Sequence, residues 1–297
     1  MIQNFERAKS RLNNIQAIEP LLSALRTLSM GSWQMALNKI SAMKQYEENY
    51  RHILVEILPK IDFERVRKPS RKSKEPEIAD KILLVIGTER GLCGKFNKIL
   101  AENVFSWIES QNLTSYQIWV LGSKMIREFE RMNIDIDWRC TLPATDLSTF
   151  QNAYLTTQNW LEQYENYAFN ELIILFNQIN KGDQYSFSTV PLLPYKISHS
   201  FSDEDNQIRK WPPPILETKP EDIYHQIIEQ FIASSFYQML LKSAAAEHAA
   251  RFRLMEDAKG NSQEIIEDLQ NIINTERKKK ITQEVQELAS GAGLINT

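Results

Sequence analysis

The sequence predicts an α/β protein: a long antiparallel coiled coil of N- and C-terminal helices, with a central α/β domain built on a mostly parallel sheet. Three observations predict it. Proline is confined to certain stretches of the chain, apolar residues recur in steps of three and four at both ends, and short apolar runs alternate with helical patterns in the middle.

The first element is a helix over residues 1–58. Ala8, Leu12 and Ile15 begin an apolar stripe, followed by Ile18, Leu22 and Leu25. The step of three at Ile18 follows another step of three and reads as a local phase slip. Pro20 sits beside it, and an interior proline removes one helical hydrogen bond and usually kinks the helix. The pattern resumes with Ala36, Ile40, Met43, Tyr50, Leu54 and Ile57. Residues 59–80 then read as a linker, with Pro59, Pro69 and Pro76 and the basic run Arg65, Arg67, Lys68, Arg71, Lys72 and Lys74.

Residues 81–220 form the central domain. Lys81–Gly87, Gln117–Gly122 and Glu171–Phe176 are buried-strand patterns, and helical stretches near 95–111, 123–132 and 148–166 separate them. That alternation indicates βαβ units in a Rossmann-like, mostly parallel arrangement. Residues 183–220 read as a further strand and a proline-rich connection containing Pro191, Pro194, Pro212, Pro213, Pro214 and Pro220.

After Pro220 there is no proline, so residues 221–297 are free to be one long helix of on the order of 100 Å at 1.5 Å per residue. Its stripe includes Ile223, Ile227 and Phe231, then Ile265, Leu269 and Ile272, then Ile281, Val285, Leu288 and Ala292. These are coiled-coil steps. Ser243, Ala244, Ala245, Ala246, Ala249 and Ala250 are small enough to admit a close neighbour. Neither terminal helix buries its stripe alone, so the simplest solution pairs the two ends antiparallel.

Composition narrows the function. The chain has 297 residues, is 42% hydrophobic and 25% charged, and carries a net charge of −3. A net acidic chain argues against a dedicated nucleic-acid binder. No apolar run approaches a membrane span, and the first residues lack the core of a secretory signal. Cys93 and Cys140 suggest no disulfide framework, and His52, His199, His225 and His248 show no metal-ligand spacing. A soluble, reduced, cytoplasmic-type compartment is the expectation.

Several motifs invite chemistry. Gly87-Thr88-Glu89-Arg90-Gly91-Leu92-Cys93-Gly94-Lys95-Phe96-Asn97 follows the first strand and opens a helix, where phosphate-binding loops sit. The glycine spacing misses the dinucleotide fingerprint, and Phe96 after Lys95 misses the P-loop, so a tight structural turn is favoured over a nucleotide site. Cys93 near a helix N-terminus has the position of a nucleophile, but no histidine lies close in sequence, which favours a packed cysteine. Glu247, His248, Glu256 and Asp257 read as a solvated or partner-facing surface rather than acid–base machinery. Glu276-Arg277-Lys278-Lys279-Lys280 interrupts the stripe, either as a solvated turn or as a surface meeting acidic groups on a partner. The basic linker is read as a solvated loop, with contact to anionic lipid or nucleic acid as the lesser alternative.

Three blocks carry a family resemblance. Gly91-Leu92-Cys93-Gly94-Lys95-Phe96-Asn97 is similar to GLCGGFN. Ala246-Glu247-His248-Ala249-Ala250-Arg251 follows, with Met255 and Ala258 in register. Asn274, Arg277, Ile281-Thr282-Gln283-Glu284 and Gly291-Ala292 complete it. In this order, within a helix–α/β–helix frame, the chain resembles the γ subunit of rotary F-type ATP synthases. The resemblance implies a non-catalytic rotor shaft without a cofactor, whose coiled coil turns inside a head of α and β subunits. Its lower part would sit on a c ring beside ε, peripheral to the cytoplasmic face of the inner or plasma membrane. It reaches the membrane only through that complex. Residue by residue, Arg277, Gln283 and Glu284 match positions that touch the head, and Leu288 lies in the same end of the helix. The c-ring contact falls near 203–220. Gly91, Cys93, Gly94, Phe96 and Asn97 form the family's turn.

The chain departs from the family where many members read ITxAMxxVAxxK. Here Leu21–Ser32 keeps Ala24 and the basic charge of Arg26, but has Leu25 for the methionine and Ser32 for the lysine. Lys95 replaces the second glycine of the GG pair. These departures suit a divergent member, including one from a sodium-type or repurposed F-type complex.

Overall fold

The computed structural model describes residues 2–61, 81–143, 147–180, 184–195 and 216–291. The basic linker and most of the proline-rich connection lie outside the described residues. Among the described residues five helices and five strands follow in order: α1 Ile2–Ile57, β1 Lys81–Ile86, α2 Phe96–Ser110, β2 Tyr116–Leu121, α3 Ser123–Arg131, β3 Trp138–Cys140, α4 Phe150–Glu165, β4 Glu171–Ile179, β5 Tyr185–Leu193 and α5 Pro220–Gly291. A 3-10 turn, Leu58–Lys60, ends α1.

The strands order as β3-β2-β1-β4-β5. β1 runs parallel to β2 and β4, β2 parallel to β3, and β5 antiparallel to β4. β5 lies at the sheet's edge, which is where a strand tolerates Pro191. The three-residue β3 is the strand the apolar pattern did not indicate, because Trp138, Arg139 and Cys140 carry no apolar run. β1 is buried on both faces, as a central parallel strand is, and so reads as a continuous apolar run. Leu83, Val85, Val120 and Leu175 pack under Leu100 and Val104 of α2 and Met125 and Phe129 of α3. Leu84, Ile86, Ile174 and Phe176 pack on the other side with Trp160 of α4 and with Ile232, Phe236 and Leu240 of α5. Ala36 of α1 joins that layer. The sheet is therefore covered on both faces.

The terminal helices contribute to two compact units, residues 1–30 with 251–297, and residues 31–250. In the first, Ala8 packs against Leu269 and Ile273 with Phe5, Leu12 and Ile15 alongside. Arg26 pairs with Glu256 and lies 4.9 Å from the ring centroid of Phe252. In the second, Leu54 and Ile57 pack against Ile227 and Phe231, and the Ser234 hydroxyl donates to Glu47 at 3.3 Å. Residue numbers rise on α1 as they fall on α5 within each unit, so the pairing is antiparallel. Pro220 stands at the first helical position of α5, where its missing N–H costs nothing, and Glu221 and Asp222 complement the positive end of the helix.

The inward face of α1 corrects one expectation. It runs through Phe5, Ala8, Leu12, Ile15, Glu19, Leu22, Arg26, Ser29, Trp33, Ala36, Ile40, Met43, Glu47, Tyr50, Leu54 and Ile57, all buried or half-buried. Steps of three and four alternate throughout, so there is no phase slip at Ile18. Ile18 is 50% exposed and belongs to another face. α1 also continues as one helix through Pro20. Pro20 is exposed, so water solvates the carbonyl that its missing N–H leaves without a donor.

Candidate functional site

Two regions hold the residues singled out by sequence, one in each compact unit. In the larger unit, the turn after β1 is built around Asn97. Its Oδ1 accepts from the Thr88 N–H at 3.1 Å and its Nδ2 donates to the Thr88 hydroxyl at 2.8 Å. That hydroxyl donates to the Arg90 carbonyl at 2.8 Å and lies 3.9 Å from the Cys93 sulfur. Asn97 thus ties the first turn of α2 to the end of β1. Thr88 is fully buried, so these bonds replace water it cannot reach.

The conformation explains the glycines and the lysine. Gly94 has φ +62°, the left-handed region that a side chain resists. At Gly87, a Cβ would stand 2.3 Å from the Cβ of Met125. Lys95 has φ −87°, which any residue adopts, so the position where the family has a second glycine accepts lysine without strain.

Phe96 and Cys93 turn inward to form a small cluster with Ala246 of α5, bordered by Ile179, Tyr185 and Ala250. The Phe96 and Tyr185 rings lie 4.9 Å apart. Two of the three sequence blocks therefore meet here, and Ala246, fully buried, is small enough to let α5 pass. The Ser243 hydroxyl donates to the Ile86 carbonyl at 3.4 Å, close by. Glu247 and His248, one turn along, are half-buried.

Sequence reasoning missed Glu89. Its carboxylate accepts from the Ser123 N–H at 3.0 Å, the Ser123 hydroxyl at 2.5 Å and the Leu142 N–H at 2.9 Å. It thereby caps α3 and holds the segment after β3. Burial alone raises its pKa, but the bonds from Ser123 and Leu142 and the Arg127 charge outweigh that, and the pKa falls below its ordinary value. The missed signal was the acidic residue at the end of a strand, where it reaches the N-terminus of the helix after the next strand.

In the smaller unit, Arg277, Gln283 and Glu284 line a groove of about 460 Å³ with Phe5, Glu6, Glu276, Lys280 and Glu287. Gln283 donates to Glu287 at 2.9 Å, Lys279 pairs with Glu276 at 3.1 Å, and Lys280 with Glu284 at 3.6 Å. The basic run is an uninterrupted part of α5. The apolar stripe behaves differently from the expected pairing. Leu269 is buried, but the next expected position, Ile272, is 48% exposed and Ile273 is buried in its place, and Ile281, Val285 and Leu288 are 53%, 57% and 73% exposed. Phe5 of α1 lies beside the 276–287 groove, so among the described residues the contact of α1 with this end of α5 is on the groove side. Ile281, Val285 and Leu288 share one face, turned roughly 100° from the groove. Ile18, Leu21 and Leu28 of α1 are likewise at least half exposed. Ala292 lies outside the described residues.

Among the described residues no cluster of His, Cys, Asp and Glu is arranged to hold a metal, and no helix is long and apolar enough to cross a membrane.

Comparison with known proteins supplies the family. A family model described as ATP synthase matches residues 4–293. The ATP synthase gamma chain of Amoebophilus asiaticus is 24% identical, with 99% of each chain covered. That of Buchnera aphidicola subsp. Schlechtendalia chinensis is 27% identical over 97% of each. The fold is also that of a chain in the Euglena gracilis mitochondrial ATP synthase, at 15% identity, TM-score 0.58, and 99% and 95% coverage of this chain and that one. A chain of the Tetrahymena thermophila mitochondrial ATP synthase central stalk and c ring is similar at 19% identity, TM-score 0.53, and 80% and 99% coverage.

Proposed function

The chain belongs to the ATP synthase gamma chain family, as a non-catalytic, central-stalk rotor subunit of an F-type ATP synthase, and from that premise we propose how its residues act. The paired ends of α1 and α5 turn inside a head of α and β subunits. The α/β domain rests on a c ring beside ε, and the working parts divide as 1–58, 59–80, 81–220 and 221–297. Ion flow turns the ring and the shaft. The shaft's unequal faces favour a different conformation in each catalytic subunit, which is how a rotating contact couples to ATP synthesis. The subunit would lie at the cytoplasmic face of the inner or plasma membrane, held there by its partners.

The observation that carries this reading is the exposed apolar surface of the smaller unit. Ile18, Leu21, Leu28, Ile272, Ile281, Val285 and Leu288 are all 48% exposed or more. A self-contained helix pair keeps one apolar stripe and a polar outer face, whereas a shaft enclosed by partners has apolar residues outside as well. Beside that surface, Arg277 and Glu284 flank the apolar face, Gln283 lies toward the groove, and Leu288 is the residue that would enter the head's bearing.

The test is native purification through a tag on this chain, with the co-purifying subunits weighed by mass spectrometry. The reading expects α- and β-type subunits at three to one over this chain, together with a c ring. A chain ending at 281 should assemble with reduced coupling. Recovery of the chain alone, or full coupling without residues 282–297, would overturn the proposed contacts.

A further inference from the structure

Outside the surfaces assigned to rotation, the larger unit has a cavity of about 560 Å³ at the mouth of the Gly91–Gly94 turn. It is lined by Lys95 and Lys98 at the start of α2 and by Lys124, Arg127 and Arg131 of α3. On a chain of net charge −3, five cations on one concave surface are a strong local concentration. Their placement follows from the fold. Met125 and Phe129 anchor α3 in the core, and the spacing of Lys124, Arg127 and Arg131 puts them together on its opposite face. The turn brings the N-terminus of α2 alongside.

The charges are only partly balanced. Glu128 also lines the cavity and pairs with Arg131 at 3.1 Å, and Lys98 is 3.9 Å from Glu102. Lys95, Lys124 and Arg127 form no ion pair among the described residues. The nearby Glu89 carboxylate is engaged by Ser123 and Leu142 and also feels the Arg127 charge, so it offsets part of that one cation. No side chain caps α2; the Phe96 N–H is taken by the Cys93 carbonyl at 3.3 Å, and the positive end of the 15-residue helix dipole adds to the potential. Among the described residues no aromatic ring lines the cavity, and Leu92, Cys93 and Met132 are its apolar side chains.

We propose that this cavity binds the phosphate groups of a polyphosphorylated small molecule, such as a nucleoside triphosphate or inorganic tripolyphosphate. Guanidinium, ammonium and helix N–H groups together suit phosphate oxygens. The volume is that of a small-molecule site. Because no aromatic ring is present to stack on a base, affinity should follow the number of phosphates and ignore the base. The inference is independent of the rotor reading, and its failure would leave that reading intact.

The test is calorimetric titration of the purified full chain with inorganic tripolyphosphate, ATP, GTP and adenosine, at fixed salt. Saturable binding is expected for the first three, with affinities within about threefold of each other, and none for adenosine. The double variant Lys124→Ser/Arg127→Ser should weaken binding at least about tenfold, and Lys95→Gly a few-fold; the double variant should melt slightly lower, because the Arg127 charge favours the Glu89 carboxylate, while the exposed Lys95 should leave melting unchanged. Phosphatidylglycerol vesicles and polyglutamate are the rival ligands. Absence of saturable binding below about 10 mM overturns the proposal. So does equal binding by the double variant, tighter binding of ATP than of tripolyphosphate through its base, or capture by vesicles or polyglutamate with none by free triphosphate.

Discussion

Leu288→Asp separates a residue buried within this chain from one buried by a partner. Leu288 is 73% exposed, so only about a quarter of its side chain is covered by its own chain. Full burial of a leucine is worth about 1.5–3 kcal/mol, which leaves roughly 0.5 kcal/mol at stake in the free subunit. The free variant should melt within about 2 °C of the parent. In the assembled complex the cost is larger. If the head covers the remaining three quarters of the side chain, the forfeited burial of about 1.1–2.2 kcal/mol alone amounts to about a 6- to 40-fold weaker contact. The desolvated carboxylate adds to it. The assay compares ATP-driven ion pumping with ATP hydrolysis in inverted membrane vesicles, alongside melting of the free chain. Pumping should fall relative to hydrolysis while the free chain is unaffected. Unchanged coupling would show that the head does not cover this face. A free-chain loss above about 2 kcal/mol would show that the stripe is packed internally.

Two further outcomes follow from the turn after β1. Asn97→Ala should cost about 1–3 kcal/mol by leaving the buried Thr88 N–H and hydroxyl short of partners, a fall of roughly 2–10 °C in melting temperature with faster amide exchange over residues 81–95. Unchanged exchange there would refute the clamp. Glu89 has a depressed pKa, so its stabilisation is present above the unfolded value of 4.5 and is lost as pH falls through the lower folded value. The melting-temperature gap between the parent and Glu89→Gln should therefore narrow as pH drops below 4.5, and a gap that is constant with pH would refute the linkage.

Much of the fold was legible because it rests on local rules. Proline placement marked where α5 begins, and the continuous apolar runs of β1, β2 and β4 marked a sheet covered on both faces. β3 escaped because its three residues pair with β2 through backbone groups and bury little. The site was legible in part. The glycine-rich turn stood out, while Glu89 and the cations of α3 did not, because their significance depends on which loops the sheet brings together.

The composition and periodicity of this sequence by themselves determined two long terminal helices, a mostly parallel sheet between them, and a tight glycine-rich turn after the first strand. Only the tertiary structure decided which face of α1 is the inner one. Apolar periodicity suggested a slip at Ile18 because the true seam passes through Glu19, Arg26, Ser29 and Glu47, which carry no hydrophobic signal. Arg26 is accommodated by Glu256 and Phe252, and Glu47 by Ser234, partners more than a hundred residues away. Periodicity records what a side chain avoids, which is water. It does not record a polar side chain's partner, and that is supplied only when the other end of the chain packs alongside.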